Sequence, residues 1–323
     1  MRDHSKEIVT LIALLIPISF VGIGGYLQEV MGYVLLFVIQ GYVAWFLFFR
    51  SGQPFFGYSV TMAIGAYGTI VMTVQYHWPI LVSMLVGAIL ASLVSVGMFF
   101  ATSRARGFYV TIASFLLAIL FPKLMEAMYL ITGGRSGMYF GGLEDWTGRN
   151  GLYIIIVLMA SIIVGAIFVL MRTKTGAILT LISENDDLTQ TVGINTFKYK
   201  ALSYVIAGFI SGLGGGLYVN YTGFISSVDV DVFTTVYIFF IPLLGGRSVC
   251  YGPLIGALVV ILAPELAAPV ERYLLIILGV VFILVAVLLP AGVGPSIENL
   301  FRKIFRKSEK KVVAVMGRRE ISL

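Results

Sequence analysis

Few residues in this chain have the type and spacing for chemistry, and together they exclude more reactions than they allow. Lys123 and Glu126 stand three residues apart just beyond Pro122 in an otherwise apolar stretch. That spacing puts a cation and an anion on one helix face, where they neutralise each other. Ionisable side chains at membrane depth are functional candidates by default, but a mutually neutralised pair near an interface needs no further role. Glu265, after Pro264, is placed to meet an external partner. Gly57-Tyr58-Ser59 lacks the second glycine of a nucleophile elbow, and no histidine is placed to activate the serine. The two histidines, His4 and His77, and the single Cys250 argue against a clustered metal site and exclude an internal disulfide. No GxxxxGK[ST] run exists to cradle ATP, so any ATP used must be bound by another subunit. No series of acids in the apolar stretches suggests proton or sodium coupling, which disfavours an ion-driven carrier without excluding one.

The chemistry therefore points outward, to a docking surface. Arg172 to Lys200, RTKTGAILTLISENDDLTQTVGINTFKYK, is the one long polar segment between two long apolar blocks. The spacing predicts a short helix opened by Ser183, with Asp186 at its third position in an approximate capping box. Glu184, Asp186 and Asp187 place negative charge in its first turn, where the helix dipole favours it. Asn185 lies between them. Gly193 is expected to stop the helix as a C′ residue with Ile194 following, and Asn195 to cap the next one. Ile178, Leu181, Ile182, Leu188 and Val192 recur at helical spacing away from the acids. A capped amphipathic helix of this kind is suited to seating against a partner, although a plain solvated connector satisfies the same pattern.

The elements that must position this loop are membrane helices. Of 323 residues, 59% are hydrophobic and 12% charged, and the mean hydropathy is +0.98. A soluble domain carries roughly a quarter charged residues, so a polytopic all-α transmembrane bundle is expected. Segments of about 20 apolar residues, the length needed to span, fall at Ile8–Gln28, Val30–Phe49, Ser51–Tyr76, Trp78–Ser103, Gly107–Ile131, Gly151–Met171, Ala201–Thr222 and Tyr273–Pro290. Two shorter ones, Val232–Gly246 and Ser248–Pro264, are tilted, broken or half-crossing candidates, giving about eight to ten segments. Ile8–Gln28 reads as a span rather than a leader, because no small-residue cleavage site follows it. The break at Tyr76-His77-Trp78-Pro79 rests on proline and on interfacial aromatics. With both termini placed in the cytoplasm, only Lys123, Arg135, Arg149 and Arg272 of the 22 basic residues fall outside. That bias sets the orientation. It also explains the net charge of +6 without nucleic acid. Residues 1–300 then form a permease-like domain with 172–200 as its cytoplasmic loop, and 301–323 form a basic cytoplasmic tail. Gly208, Gly212 and Gly216, at four-residue steps, allow close helix packing.

Several segments in order resemble the LivM-type permease subunits of branched-chain amino acid ATP-binding-cassette importers. They are SGQPFFGYSVTMAIGAY (Ser51–Tyr67), RARGFYVTIASFLLAI (Arg104–Ile119), ITGGRSGM (Ile131–Met138), the loop from Thr175 to Lys200, AGFISGLGGGLYVNYTGFIS (Ala207–Ser226), and LLGGRSVCYGPLIGALVV with LAPELA (Leu243–Ala267). The resemblance implies an inner-membrane protein of a prokaryote that passes its cargo by alternating access. It would carry no cofactor of its own, because ATP would be bound by two separate ATPase subunits that seat on Ser183, Glu184, Asn185, Asp186, Asp187, Gly193, Ile194 and Asn195. A sister LivH-type permease and an extracytoplasmic binding protein complete the implied assembly. Gln40, Gln53, Tyr58, Ser59, Thr111 and Ser114 are the candidates for lining the pathway, with a buried amide satisfied by a neighbouring helix as the other reading for the glutamines. Ile119 and Arg247-Ser248-Val249-Cys250 depart from the family pattern. Urea or a short amide remains an alternative cargo, and an ion-coupled secondary transporter a second class of reading.

Overall fold

The computed structural model describes residues 2–21, 25–103, 108–248, 251–266 and 279. The expected span Tyr273–Pro290 and the basic tail 301–323 lie outside the described residues, as do Arg272 and Cys250. The chain is an all-α polytopic bundle. Its helices are α1 (Arg2–Leu15), α2 (Tyr26–Trp45), α3 (Tyr58–Val74), α4 (Ile80–Thr102), α5 (Phe108–Ala127), the single turn α6 (Tyr129–Thr132), α7 (Glu144–Arg172), α8 (Lys174–Glu184), α9 (Asp186–Thr191), α10 (Thr196–Thr222), α11 (Val232–Gly245) and α12 (Gly252–Leu266). Five helices among the described residues are long and apolar enough to cross a membrane: Tyr26–Arg50, Ile80–Thr102, Tyr109–Ala127, Trp146–Arg172 and Thr196–Thr222. A two-residue strand pair, β1 (Met138–Tyr139) antiparallel to β2 (Phe224–Ile225), ties two connections at the end remote from residues 172–200.

Three expected boundaries change, each for a local reason. The first span is interrupted: α1 gives way to a 3-10 turn over Ile16–Phe20 that contains Pro17, and α2 already begins at Tyr26. Gln28 therefore belongs to α2. The third span does not start at Ser51. Residues 52–57 are non-helical and α3 begins only at Tyr58. Pro54 disfavours helical backbone at Gln53 and supplies no N–H, and Gly52 sits at φ +65°. The loop 172–200 forms two helices instead of one, as described below. The break before Pro79 is where it was expected, between Val74 and Ile80. Lys123 Nζ meets Glu126 Oε2 at 3.1 Å as the spacing implied, and Arg135 Nε adds a contact at 3.4 Å.

The core is α10 wedged between α3 and α4. Its glycines let backbones touch, because small residues remove the side chains that would hold helices apart. A Cβ on Gly212 would lie 2.8 Å from Ala88 Cα, and one on Gly215 would overlap Met62 O. Gln40 of α2 closes the junction: its Nε2 donates to Ser211 O at 3.1 Å, and Ser211 Oγ donates to its Oε1 at 2.8 Å.

Candidate functional site

Two features meet at the end of the bundle that carries residues 172–200. The first is the break Ser51–Gly57. Here α2 widens into a π-helical turn over Phe46–Arg50, with Ser51 N donating to Phe46 O five residues back, and beyond it Gln53 N donates to Leu47 O. Such π-turns inside helices cluster at functional sites. The buried backbone of the break must be satisfied from outside, and two predicted residues do this. Thr111 Oγ1 donates to Pro54 O at 3.1 Å, and Ser114 Oγ accepts from Phe56 N at 3.0 Å. Ser203 Oγ donates to Lys200 O and lies 2.7 Å from Ser51 Oγ, which anchors the break to α10.

Around these hydrogen bonds the break is aromatic. Phe55 stands edge-on to Tyr58 at 5.3 Å and to Tyr204 at 5.1 Å. Phe56 stacks on Phe239 of α11 at 4.2 Å and meets Phe115 at 5.8 Å. The hydroxyls of Tyr58 and Tyr204 are buried with no protein hydrogen-bond partner, an uncommon state for buried polar groups. Ser59 Oγ pairs with Thr235 Oγ1 of α11. Of the pathway candidates, Gln53, Tyr58, Ser59, Thr111 and Ser114 thus gather around this break. Gln40 stands apart in the α2–α10 junction, with both ends of its amide bonded there.

The second feature is the loop itself. Thr173 opens α8, its Oγ1 accepting from Gly176 N, and the helix runs without interruption to Glu184. Ser183 is therefore not a cap. It sits in the last turn of α8, where its hydroxyl donates to Thr180 O at 2.8 Å. Helix continuity from Thr173 outcompetes the capping box, and Glu184 ends α8 instead of opening α9. Asn185 takes the cap position, with Oδ1 accepting from Leu188 N at 2.9 Å. Asp186 and Asp187 occupy the first turn of α9 as expected. Gly193 follows that helix at φ +83°, and after Ile194 the Asn195 Oδ1 accepts from Lys198 N at 3.2 Å and caps α10. The apolar stripe divides with the helices. Ile182 is buried, whereas Leu188 and Val192 are 66% and 69% exposed beside exposed Leu181.

The loop and the break are in contact. Gly52 packs so closely on Ser183 that a Cβ there would lie 3.0 Å from Ser183 Cα. Lys200 Nζ of α10 binds Asp186 Oδ2 at 2.6 Å. Burial pushes the Asp186 carboxyl up, but side-chain hydrogen bonding by Lys200, Thr196 and Gln190, together with the Lys200 charge, holds it below its ordinary value. A cavity of about 460 Å³ lies between loop and break, walled by Gln53, Phe99, Ser103, Asp187, Phe197 and Lys200 among others. Sequence reasoning missed Gly52, Ser203, Lys200, Phe55 and Phe56. The Gly-x-Pro of Gly52–Pro54 is a legible breaker signal; the partners of Ser203 and Lys200 come from other elements and leave no local mark.

Comparison with known proteins places this architecture. Residues 26–286 match the family model described as branched-chain amino acid transport system / permease component. A relative from Escherichia coli K12, a high-affinity branched-chain amino acid transport system permease protein LivM, is 22% identical over 76% of this chain and 64% of its own length. The chain thus spans just under two thirds of that relative. A probable branched-chain amino acid transport permease protein LivH from Methanocaldococcus jannaschii is 28% identical over 42% of this chain and 43% of its own. The ribose import permease protein RbsC of Haemophilus influenzae is 28% identical over 34% of this chain and 36% of its own. No solved structure matches.

Proposed function

The chain belongs to the branched-chain amino acid transport system / permease component family, and from that premise we propose that it is the membrane-spanning permease subunit of an ATP-binding-cassette importer. It passes branched-chain amino acids by alternating access and leaves ATP hydrolysis to two separate ATPase subunits. A sister LivH-type permease and an extracytoplasmic binding protein complete the machine. In this reading residues 1–300 form the permease domain in a prokaryotic inner membrane, both termini and residues 172–200 are cytoplasmic, and the tail 301–323 is peripheral.

One observation carries the reading: Gly52 of the break packs directly on Ser183 of the loop. A partner that seats on exposed Leu181, Leu188 and Val192 and moves the loop must displace the break. The break is held by a few hydrogen bonds and ring edges, so it can rearrange without unpacking the core. Helix interruption at membrane depth is tolerated where the freed backbone is satisfied within protein; here Thr111 and Ser114 bond that backbone, and Ser203 holds the Ser51 hydroxyl.

The test is reconstitution in proteoliposomes with both ATPases, the sister permease and the binding protein. ATP-driven uptake of leucine in preference to urea or ribose is expected. Uptake by this chain alone on an ion gradient without ATP would refute the assignment, and preferential uptake of urea would refute the cargo.

A further inference from the structure

The cavity of about 460 Å³ beside the loop does not continue into the bundle. On the chain leading into α3, Gly52, Gln53 and Pro54 line that cavity, whereas Ser59, Met62 and Ala63 line a separate void. The void measures about 10 Å³, no more than one water molecule fills. On α10 the same order holds: Phe197 and Lys200 face the cavity and Tyr218 the void. Between the two spaces stands one aromatic layer. Phe55 meets Tyr58 at 5.3 Å and Tyr204 at 5.1 Å, and Phe99 closes on Tyr204 at 5.1 Å from the cavity side. Two polar atoms in this layer are satisfied by nothing in the protein. Tyr58 and Tyr204 are each 0% exposed, and the hydroxyl of each lacks a hydrogen-bond partner. Buried hydroxyls are ordinarily bonded, because one buried unpaired forfeits its bonds to water. Ring packing closes the layer, and it is opposed by a penalty that exists only while the layer is closed.

We propose that the Tyr58–Tyr204 pair is the gate of the permeation pathway on the side of residues 172–200, and that its two hydroxyls bias the gate towards opening. The proposal rests on the permease reading and deepens it by naming the residues that part. While the gate is closed, the rings exclude water and the hydroxyls stay unpaired. When the break moves with Gly52, Phe55 and Tyr58 draw away from Tyr204 and Phe99, water enters from the cavity, and both hydroxyls gain partners. Phenylalanine at either tyrosine keeps the ring contacts and removes the penalty, so the closed layer becomes more stable and opening rarer. The sign is diagnostic. A hydroxyl that held the fold together by a hydrogen bond would destabilise the protein on removal.

The test uses the full transporter complex with Cys250→Ser and Ala63→Cys in this chain. Ala63 is buried and lines the void beyond the layer. A small charged methanethiosulfonate added on the side of residues 172–200 therefore reaches it only through the gate. Tyr58→Phe and Tyr204→Phe are each expected to slow this labelling about tenfold, an effect within reach of one unpaired hydroxyl. Leucine uptake should slow with it, and the melting temperature should be no lower than that of the parent complex. Phe55→Ala, which thins the layer, should speed labelling. A lower melting temperature in either tyrosine variant, labelling that neither variant changes, or slower labelling in Phe55→Ala each overturns the proposal. Labelling and melting need neither ATP nor cargo. If both behave as expected in a complex that imports no leucine, the importer reading fails and the gate stands. Leucine uptake with labelling unmoved by both tyrosine variants refutes the gate alone.

Discussion

The α3–α4–α10 core and the break at Ser51–Gly57 are both buried, yet opposite means hold them. In the core, backbone lies on backbone through Gly65, Gly212 and Gly215, with no side chain between that could change rotamer. In the break, four hydroxyls and a set of aromatic edges do the work. Dispersion between close-packed backbones is lost all at once if they separate. A hydroxyl bond worth about 0.5–1.5 kcal/mol net can be exchanged for another during a movement. On the proposed function the difference separates a scaffold from a segment that moves, and the loop 172–200 touches that segment at Gly52.

The sharpest test of that division is to put a side chain where the core has none. Gly215→Val places its Cβ against Met62 O, a backbone atom that no rotamer change relieves. Little correctly assembled complex is expected, seen as loss of the monodisperse peak and of thermal stability in detergent. Normal yield and melting temperature would mean that α3 and α10 can part, and the core would lose its role as scaffold.

Gly52→Val tests the other side of the comparison. It imposes the left-handed φ of +65° on a residue with a Cβ and pushes that Cβ towards Ser183 Cα. The conformational part alone costs roughly 1–2 kcal/mol. Insertion and yield should stay near normal while leucine uptake falls at least tenfold and ATP hydrolysis persists. Gly193→Val is the control within the loop. Gly193 shares the positive φ but has nothing within 4 Å, so it carries only the conformational penalty, and uptake should fall less. Equal uptake losses in the two variants would show that the Gly52–Ser183 contact transmits nothing.

How much of this was legible in the sequence follows the same division. Local signals were read correctly where one residue decides the backbone, as at Gly193, Asn195 and the Pro79 break. Periodicity failed where two helices abut. The run from Thr173 to Glu184 is helical throughout, so Ser183 lost the cap to Asn185 two residues on. The break was hidden because it lies in the run from Ser51 to Ser103 that holds no Lys, Arg, Asp or Glu, and that uncharged run outweighed Gly-x-Pro. Thr111 and Ser114 were singled out as pathway candidates, but their partners Pro54 and Phe56 lie 57 and 58 residues away. A pairing of that range has no signature in a single sequence.

Those two hydroxyls give the next test, with a smaller and asymmetric effect. Ser114→Ala leaves the Phe56 N–H buried and unpaired, a loss of about 1–3 kcal/mol. Thr111→Val leaves only Pro54 O short of one donor, and carbonyls tolerate that better. Uptake should drop severalfold in Ser114→Ala and less in Thr111→Val, with the double variant departing from additivity because both bonds hold one segment. Strict additivity in uptake and in stability would mean that the break is not a single mechanical unit.

The smallest effect concerns pH at the joint between loop and scaffold. Lys200 holds the Asp186 carboxyl below its ordinary value of 3.8, against the upward push of burial. For a carboxyl with a folded value below its unfolded one, the stabilisation is complete above the unfolded value and disappears as pH falls through the folded one. The joint should therefore be insensitive to pH from 8 down to 5 and loosen only below about pH 4. Since Asp186 is 37% exposed, solvent screening keeps the effect small. Amide exchange at Leu188 and Lys198, whose N–H groups are held by the Asn185 and Asn195 caps, reports it directly. Wild-type protection relative to Asp186→Asn should be constant from pH 7 to 5 and converge on the variant in stronger acid. Convergence already between pH 7 and 5 would show that Lys200 does not hold the carboxylate ionised, and that the loop is joined to α10 only through its caps.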